Sequence, residues 1–342
     1  MRTLFEAMEQ TASNTRRMVL TVLDEKIPAE KVLAVDGKIV WESRENGFFR
    51  QYPTEIEGLT EGGLIDLGES QVFCDVLGED TKIVICGGGH VSIPVIMLGV
   101  MMGCEVTVLE DRPTYADHAR RAGATQVICE PFEEGLEKVA GDAGTYFVVV
   151  TRGHRYDQIC LEKIAQKEHA YIGMIGSRRR TRMVIETLKE KGINPEVLDG
   201  VYTPIGLDIK AETPVEIAVA IMAEIIEVKN RKQRSGGYTK EILRAIMDRG
   251  TDTGRKVLAT IVSRKGSAPR TVGTKMLILR DGRCVGTIGG GCMEAKVVQK
   301  ALAMASQGKP EVRICQVDMT GEDAEEEGMI CGGVIRVLLE LI

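Results

Sequence analysis

This chain of 342 residues lacks several features that identify common classes of protein. It has no excess of positive charge, because its formal net charge at pH 7 is −6. Proteins that bind nucleic acid neutralise phosphates with a basic face, so no nucleic-acid partner is expected. Only four histidines occur, and no nucleophile and base stand in a readable order. The composition therefore offers no acid–base constellation for catalysis.

Long apolar runs are also missing. The run SIPVIMLGVMMG, at 92–103, is too short for a membrane span and ends in glycine. The first fourteen residues, MRTLFEAMEQTASN, lack the apolar core of a signal peptide. We therefore predict a cytoplasmic protein that does not bind a membrane.

The nine cysteines form no CxxC pair, and no histidines accompany them at zinc-finger spacing. The odd number and this spacing argue against a disulfide framework and against a structural zinc site. Cys86, Cys129 and Cys315 lie in apolar, strand-like runs and are predicted to be small buried side chains. Cys292 and Cys331 differ from them, because each lies beside glycines.

The order of apolar runs and turns divides the chain into segments. Residues 79–230 alternate short apolar runs, glycine turns and amphipathic stretches, which predicts a Rossmann-like, doubly wound parallel sheet. Residues 231–237 are polar and glycine-rich, as in a linker, and residues 238–342 are predicted to form a small α+β domain. The predicted fold class is α/β, with small α+β domains flanking the Rossmann-like sheet.

Residues 1–78 resemble a degenerate copy of the last domain. Residues 4–20 match 242–258 at a shift of 238, and residues 31–40 match 276–285 at a shift of 245. The copy has no counterpart of the loops KGSAPRT and GGGCME, which favours a functional role for these loops. Chance similarity between two short α+β segments is the alternative.

The sequence GGGHVS, at 87–92, follows a predicted strand and opens a predicted helix, which is the context of a dinucleotide fingerprint. The N–H groups of such a helix N-terminus attract phosphate, and an acidic residue after the next strand can bind ribose. The alternative is a Rossmann-like fold with no nucleotide, or with another phosphorylated ligand. The candidate cofactor-binding residues here are Gly87, Gly88, Gly89, His90, Glu110 and Asp111.

A second glycine turn, GMIGSRRR at 173–180, adds the candidates Gly176, Ser177 and Arg178. Arginine suits phosphate because its planar fork donates two hydrogen bonds, although a solvated helix face is the alternative. His154 and Asp157 would lie at the carboxyl edge of the sheet, where ligands bind in such folds. A structural loop histidine is an equal alternative for His154.

Two loops of the last domain contain further candidates. The run KGSAPRTVGTKM, at 265–276, has the character of an anion-binding loop, with Ser267, Arg270 and Lys275. Cys292 lies in the predicted first turn of a helix, which lowers the pKa of a thiol and suits a persulfide carrier, a metal ligand or a redox thiol. A buried inert thiol is the alternative. The candidate cofactor-binding residues are Gly266, Ser267, Arg270, Gly290, Gly291, Cys292 and Glu294, with Cys292 also a candidate metal ligand.

Together these motifs resemble the XdhC/CoxI family, whose members are accessory factors for xanthine dehydrogenase, aldehyde oxidoreductase and carbon monoxide dehydrogenase. The resemblance spans residues 81–342 and rests on GGGHVS, EDRP, GMIGSRRR, KGSAPRTVGTKM, GGGCMEAKV and CGG. The domain order is permuted, because the family commonly places its GSAPR domain first. The chain also has Arg152 in TRGH, where the family pattern predicts histidine.

The resemblance implies a molybdenum-cofactor chaperone. Such a protein binds molybdopterin or its cytosine dinucleotide, shields it while a cysteine desulfurase installs a terminal sulfur, and delivers it to a molybdenum hydroxylase. A chaperone need not have catalytic turnover, and a homodimer is a further candidate assembly. The alternatives are an NAD(P)-binding oxidoreductase that uses GGGHVS and Glu110, and a redox or sulfur sensor built on Cys292.

Overall fold

The computed structural model describes residues 3–11, 15–24, 30–77, 81–232, 238–248, 255–266, 270–289, 291–307, 312–318 and 333–342. The chain forms two compact units. One unit combines the two ends of the chain, Met1–Gly78 and Arg234–Ile342, and the other is Glu79–Gln233. We describe each unit by itself.

The N-terminal part of the first unit is an antiparallel sheet of five strands with two short helices. Its elements are α1 (Leu4–Glu9), β1 (Arg17–Val22), β2 (Lys31–Val35), β3 (Lys38–Glu42), α2 (Pro53–Gly58), β4 (Gly63–Leu67) and β5 (Ser70–Leu77). The strand order is β3-β2-β1-β5-β4. Helix α1 begins with a capping box in which Thr3 and Glu6 bond each other's backbone N–H. The turn between β2 and β3 places Asp36 and Gly37 at positive φ, the geometry that the sequence Asp-Gly favours in a hairpin.

The second unit is built around a parallel sheet of five strands. The strands are β6 (Lys82–Cys86), β7 (Glu105–Leu109), β8 (Gln126–Ile128), β9 (Thr145–Val149) and β10 (Tyr171–Met174). The helices are α3 (Ser92–Met101), α4 (Pro113–Arg121), α5 (Phe132–Glu137), α6 (His154–Ile164), α7 (Arg178–Glu190), α8 (Pro195–Asp199) and α9 (Pro214–Lys232).

The strands of this parallel sheet lie in the order β10-β9-β6-β7-β8. The chain adds β7 and β8 on one side of β6 and then β9 and β10 on its other side, so the point where the order switches lies between β6 and β9. Alternate residues of β6 enter two separate hydrophobic cores: Ile83 and Ile85 pack with α3 and α9, whereas Val84 and Cys86 pack with α6 and α7. Burial on both faces explains why the strands appear in the sequence as continuous apolar runs. The predicted Rossmann-like, doubly wound sheet is confirmed.

The C-terminal part of the first unit is a second antiparallel sheet of five strands. Its elements are α10 (Lys240–Met247), β11 (Val257–Gly266), β12 (Lys275–Ile278), β13 (Cys284–Gly286), α11 (Gly291–Gln307), β14 (Val312–Asp318) and β15 (Gly333–Leu341). Helix α11 packs on one face through Met293, Val297, Ala301 and Met304.

The two antiparallel sheets have the same topology. The order β13-β12-β11-β15-β14 repeats the order β3-β2-β1-β5-β4 strand for strand. Val19 and Leu33 pair in the first sheet and pack with Leu4 of α1, and Leu258 and Leu277 pair in the second and pack with Ile242 of α10. These equivalent pairs give structural shifts of 239 and 244, each one residue from the shifts of 238 and 245 inferred from the sequence, which would match the α1 face with Val257 and Ile278 of the α11 face. This agreement supports the proposal that residues 1–78 are a degenerate copy of the last domain.

Two ion pairs join the two antiparallel sheets, one buried on both sides and one with a half-buried lysine. Lys275 on β12 bonds Asp75 on β5 at 2.6 Å, and Lys31 on β2 pairs with Glu340 on β15. Because β2 corresponds to β12 and β5 to β15, the two pairs are reciprocal. Apolar side chains from both ends of the chain surround them, including Leu4, Val19, Leu33, Leu77 and Tyr238 in one cluster and Phe73, Val262 and Leu338 in another.

The sequence predicts that Cys86, Cys129 and Cys315 are buried, and two of these three predictions are confirmed. Cys86 and Cys315 are buried, as predicted. The prediction is wrong for Cys129, which is half-buried and follows the end of β8 rather than lying inside a strand. Burial raises the pKa of Cys74 to about 12 and also raises the pKa of Cys315, so these thiols stay protonated at neutral pH.

Breaking one buried ion pair should destabilise the unit that contains it. Lys275→Met leaves the Asp75 carboxylate buried without its partner, so we expect a loss of about 3–5 kcal/mol in the free energy of unfolding. Trp41, the single tryptophan of the chain, packs in the apolar cluster between the two sheets, so its fluorescence during urea unfolding reports on this unit.

Two further variants make this measurement decisive. The double variant Asp75→Leu/Lys275→Met removes both charges and should recover most of the lost stability. Arg283→Met removes an exposed guanidinium that pairs with Asp281 and should change the stability by less than about 1 kcal/mol. Equal losses for Lys275→Met and Arg283→Met would show that the buried pair does not matter.

Candidate functional site

The strand ends of the C-terminal sheet bring three connections to one edge, which we call the loop edge. Strands β11, β13 and β14 end there, and strands β12 and β15 begin there. The register fixes this arrangement, because Gly266 pairs with Gly333, Asp318 with Val334, and Gly286 with Met276. The chain therefore leaves the sheet at the loop edge after Gly266, Gly286 and Asp318, and strands β12 and β15 begin there.

These connections contain the predicted motifs of the last domain. Gly266, at φ +73°, ends β11 and opens the GSAPR segment, and Gly333 of the CGG run begins β15. Helix α11 begins at Gly291, which has φ +67°. The candidates Ser267 and Gly290, and also Cys331, lie outside the described residues, as does the side chain of Cys292. The cofactor-binding roles of the motif residues stay predictions.

Three exposed cations lie at the loop edge. Strand β11 continues well beyond the position equivalent to the end of β1, and its last residues include Arg264 and Lys265. Arg270 follows on the way to β12, and the Arg264 guanidinium donates to its carbonyl oxygen at 3.5 Å. Within the part of the chain that the structure describes, none of the three pairs with a carboxylate. Their charge is therefore turned towards solvent.

The Glu294 carboxylate holds the loop that precedes α11. It accepts hydrogen bonds from the Thr287 hydroxyl, from the Ile288 N–H at 2.9 Å and from the Gly289 N–H at 3.1 Å. These donors fix the backbone between β13 and α11. In this structure Glu294 therefore fixes the conformation of the loop that leads to Cys292.

The prediction that Lys275 binds an anion in the loop is wrong. Lys275 is the first residue of β12 and is 4% exposed. Its ammonium group pairs with Asp75, donates to the Gly273 carbonyl at 3.3 Å and lies 4.6 Å from the centre of the Tyr238 ring. The sequence could not reveal this, because Asp75 is two hundred positions away in the chain.

In the second unit, the glycine turn lies between β6 and α3 at the carboxyl edge of the parallel sheet. Gly87 has φ +116°, and a Cβ there would lie 2.5 Å from the Val150 carbonyl oxygen, so the position requires glycine. Space beside Gly89 is open, and His90 is exposed. Among the residues that the structure describes, no side chain caps the N-terminus of α3. This edge is where ligands bind in folds of this type.

Glu110 is fully buried and is bonded on all sides by the protein. Its carboxylate accepts from the Gly88 N–H at 2.7 Å, from the Arg112 N–H at 3.2 Å and from the Arg112 guanidinium at 2.7 and 3.1 Å. Four donors satisfy a carboxylate, so ribose binding by Glu110 would require some of these bonds to break.

Asp111 forms a two-pronged ion pair with Arg152, which lies in the loop after β9. The Arg152 guanidinium donates to the two carboxylate oxygens at 2.5 and 2.8 Å. It also donates to the Tyr156 hydroxyl at 2.6 Å, and its central carbon lies 4.1 Å from the centre of the Tyr156 ring. The hydrogen bond from Arg152 holds the pKa of Asp111 below its ordinary value.

The second glycine turn of this unit lies beside a buried charge pair. Gly176 has φ +150°, Ser177 caps α7, and Arg178 is exposed. Asp157 is buried and accepts from the Thr151 hydroxyl and from the Arg180 guanidinium, each at 2.5 Å. Burial raises the pKa of Asp157, although both partners oppose the shift.

Sequence reasoning misses the partners in this network. Arg112 and Arg180 lie within EDRP and GMIGSRRR, but the sequence does not identify either of them, or Tyr156, as a partner of an acidic side chain. Each follows a predicted strand by a few residues, which is the available signal. His154 begins α6 and is exposed. Across the described ranges there is no cluster of three or more His, Cys, Asp or Glu side chains suited to a metal ion, and no helix is both long and apolar enough to cross a bilayer.

Comparison with known proteins gives several partial matches. The chain is 29% identical to a Bacillus subtilis protein described as a probable subunit of xanthine dehydrogenase, over 47% of this chain and 47% of that protein. It is 36% identical to Molybdenum cofactor insertion chaperone PaoD of Escherichia coli, over 24% of this chain and 25% of that protein. The Escherichia coli protein YqeB, described as uncharacterized, is 29% identical over 48% of this chain and 30% of its own length. The chain thus spans between a quarter and a half of these relatives.

A crystal structure described as a xanthine dehydrogenase from Bacillus halodurans also resembles the chain. The TM-score is 0.53 at 22% sequence identity, over 65% of this chain and 62% of that one. At this identity the likeness shows the fold alone.

Two families match the chain itself. Residues 83–225 match the family described as the XdhC Rossmann domain, and residues 252–317 match the XdhC and CoxI family. The two matches together cover more than half of the chain, and they fall on the parallel sheet and on the domain that contains the loop edge. The resemblance inferred from the sequence motifs is thereby confirmed: the chain contains an XdhC Rossmann domain and a domain of the XdhC and CoxI family.

Proposed function

We propose that this protein is an accessory factor that binds molybdenum cofactor, protects it during sulfuration by a cysteine desulfurase, and delivers it to a molybdenum hydroxylase of the xanthine dehydrogenase or aldehyde oxidoreductase type. The names of two relatives, a molybdenum cofactor insertion chaperone and a probable subunit of xanthine dehydrogenase, support this role. The observation that carries the proposal is the loop edge, where all three glycine motifs of the last domain begin or end.

The residues at the loop edge fit the chemistry of this cofactor. A molybdopterin carries a phosphate, and the exposed groups of Arg264, Lys265 and Arg270 are suited to an anion. Cys292 follows the first residue of α11, where the helix N-terminus favours a thiolate. A thiolate is a suitable ligand for a soft metal site or a carrier of sulfur.

Each residue has a separate part in this proposal. The three cations bind and orient the anionic part of the cofactor, and Cys292 contacts its metal or relays sulfur. Glu294 fixes the loop from Thr287 to Gly289 and so sets where α11 begins. The bound cofactor would supply the redox chemistry of the client enzyme, and the accessory factor itself needs no turnover.

The alternative is an NAD(P)-dependent oxidoreductase that uses the glycine turn of the second unit. The position of this turn favours it, because the turn joins β6 to α3 at the carboxyl edge of the sheet. The contacts of Glu110 weigh against it, because four protein donors already occupy the carboxylate that would bind ribose. We therefore prefer the accessory function, and we retain cytoplasmic location and a homodimer as further predictions.

Purification from two hosts tests the function directly. The protein is isolated from cells that make the pterin cofactor and from cells that cannot, and bound pterin is released by acid oxidation and measured by fluorescence. We expect pterin in the first preparation alone. Tightly bound NAD(P) without pterin would instead support the oxidoreductase.

Cys292→Ala tests the thiol at the loop edge. We expect the variant to fold normally, to retain about tenfold less pterin and to activate the client hydroxylase correspondingly less, because a ligand of the metal or sulfur is lost. Cys284→Ala is the matched control, since Cys284 is the exposed thiol of β13 in the same domain. Full client activation by the Cys292 variant would remove the thiol from the proposal.

Charge reversal tests the cations of the loop edge. Arg270→Glu should reduce pterin retention by about tenfold or more, because it replaces a charge-assisted donor with a repelling carboxylate. Arg280→Glu makes the same change in charge in the turn between β12 and β13, at the opposite end of the sheet, and should leave retention unchanged. Equal losses in both variants would point to net charge rather than to the loop edge.

A further inference from the structure

The planar guanidinium of Arg152 fills the space between Asp111 and Tyr156. Two parallel N–H groups of Arg152 point into the Asp111 carboxylate at 2.5 and 2.8 Å. The same guanidinium lies over the Tyr156 ring at 4.1 Å and donates to the Tyr156 hydroxyl. The three residues come from the loops after β7 and β9 and from the first turn of α6. We call them the Asp111 corner.

One class of heterocycle carries the same pair of adjacent N–H donors that Arg152 offers to Asp111. The 2-amino-4-oxo edge of a pterin or of guanine presents a ring N–H and an amino N–H side by side, as a guanidinium does. A carboxylate accepts this pair of donors in the way that it accepts Arg, and an aromatic side chain stacks against a planar base. Asp111 and Tyr156 therefore supply both contacts that such an edge requires.

Arg152 can be displaced because solvent reaches its ion pair. Its side chain is 33% exposed and that of Asp111 is 21% exposed, so water can hydrate both groups when they separate. The neighbouring Glu110 is held by Gly88 and Arg112, so it remains in place when Arg152 leaves.

The corner also lies beside the glycine turn. The close approach of Gly87 to the Val150 carbonyl brings the turn into contact with the loop that carries Arg152. A phosphate of a ligand at the turn would then attract the released guanidinium, which offsets the loss of its bond to Asp111.

We propose that Asp111 and Tyr156 form a binding site for the amino-oxo edge of a pterin or a guanine base, and that Arg152 fills this site as an internal stand-in until the ligand displaces it. The proposal rests on the proposed function and deepens it, because the molybdenum cofactor is a pterin. It concerns the second unit alone and makes no use of Cys292 or the loop edge.

Binding of small bases tests the corner. Pterin itself, without a phosphate, is titrated into the full chain and followed by its fluorescence. Lumazine, which carries oxygen in place of the 2-amino group, is the matched ligand control. Guanosine and inosine form the same pair for purines and are titrated by calorimetry. We expect pterin or guanosine to bind, and we expect lumazine and inosine to bind at least about tenfold more weakly, because each lacks one donor.

Three variants separate the roles of the residues. Arg152→Ala should bind pterin about tenfold more tightly, as expected if the stand-in fills the site about nine-tenths of the time. Asp111→Asn in the Arg152→Ala background should lose at least that gain, because the acceptor is lost. Arg155→Ala removes an exposed arginine of α6 and should change affinity by less than about twofold. Thermal melting checks that each variant is folded.

The relative affinities for pterin and guanosine show which base the site prefers, and the controls show whether the site exists. Tighter binding of pterin assigns the corner to a pterin, and tighter binding of guanosine assigns it to a guanine nucleotide. The proposal is overturned if no base binds, if lumazine binds as well as pterin, or if Arg152→Ala fails to raise affinity. Pterin that copurifies equally with wild type and Asp111→Asn would leave the accessory function standing and remove this site alone.

Discussion

The reciprocal ion pairs Lys275–Asp75 and Lys31–Glu340 are the interaction on which the unit built from the two chain ends depends. The C-terminal sheet has one face covered by α11, and its other face presents Lys275 and Glu340 among apolar side chains. Burying such a face is favourable only against a partner that supplies opposite charges at matching positions. The N-terminal sheet does so with Asp75 and Lys31. This requirement explains why a copy without functional loops would be retained.

The shared strand order separates what each copy contributes. In the N-terminal sheet β4 turns directly into β5 through Gly68 and Glu69, and a helix of six residues stands where the C-terminal sheet has α11 with seventeen. The strands and their register are kept, whereas the connections at one edge are reduced. Loops can change in this way without loss of the fold, because they bury little of the core. The contrast supports a binding role for the loop edge and a packing role for the first sheet.

The sequence predicts the fold well, because βα alternation and glycine turns are local signals. The Rossmann-like sheet and the glycine turn before α3 follow from local patterns of residues, and the shifts of the repeat follow to within one residue. The partners of charged side chains do not follow. Lys275 belongs to a run rich in cations, which suggests an anion site, and only the tertiary structure brings Asp75 against it. In the sequence Arg152 is visible only as a departure from a family pattern, because its bond to Asp111 joins residues forty-one positions apart.

Both glycine loops are held by a carboxylate of the protein itself. Glu110 accepts from the N–H of Gly88, and Glu294 accepts from the N–H groups of Ile288 and Gly289. These backbone donors would otherwise be the natural contacts for a phosphate. Because the carboxylates already occupy these N–H groups, an anion that binds near either loop needs other donors, such as guanidinium groups. Arginines stand close by in both cases, Arg112 and Arg152 near the first loop and Arg264 and Arg270 at the loop edge. Rigid glycine loops with arginine side chains beside them therefore favour a ligand that is recognised by its planar and anionic groups, rather than a dinucleotide bound along the backbone.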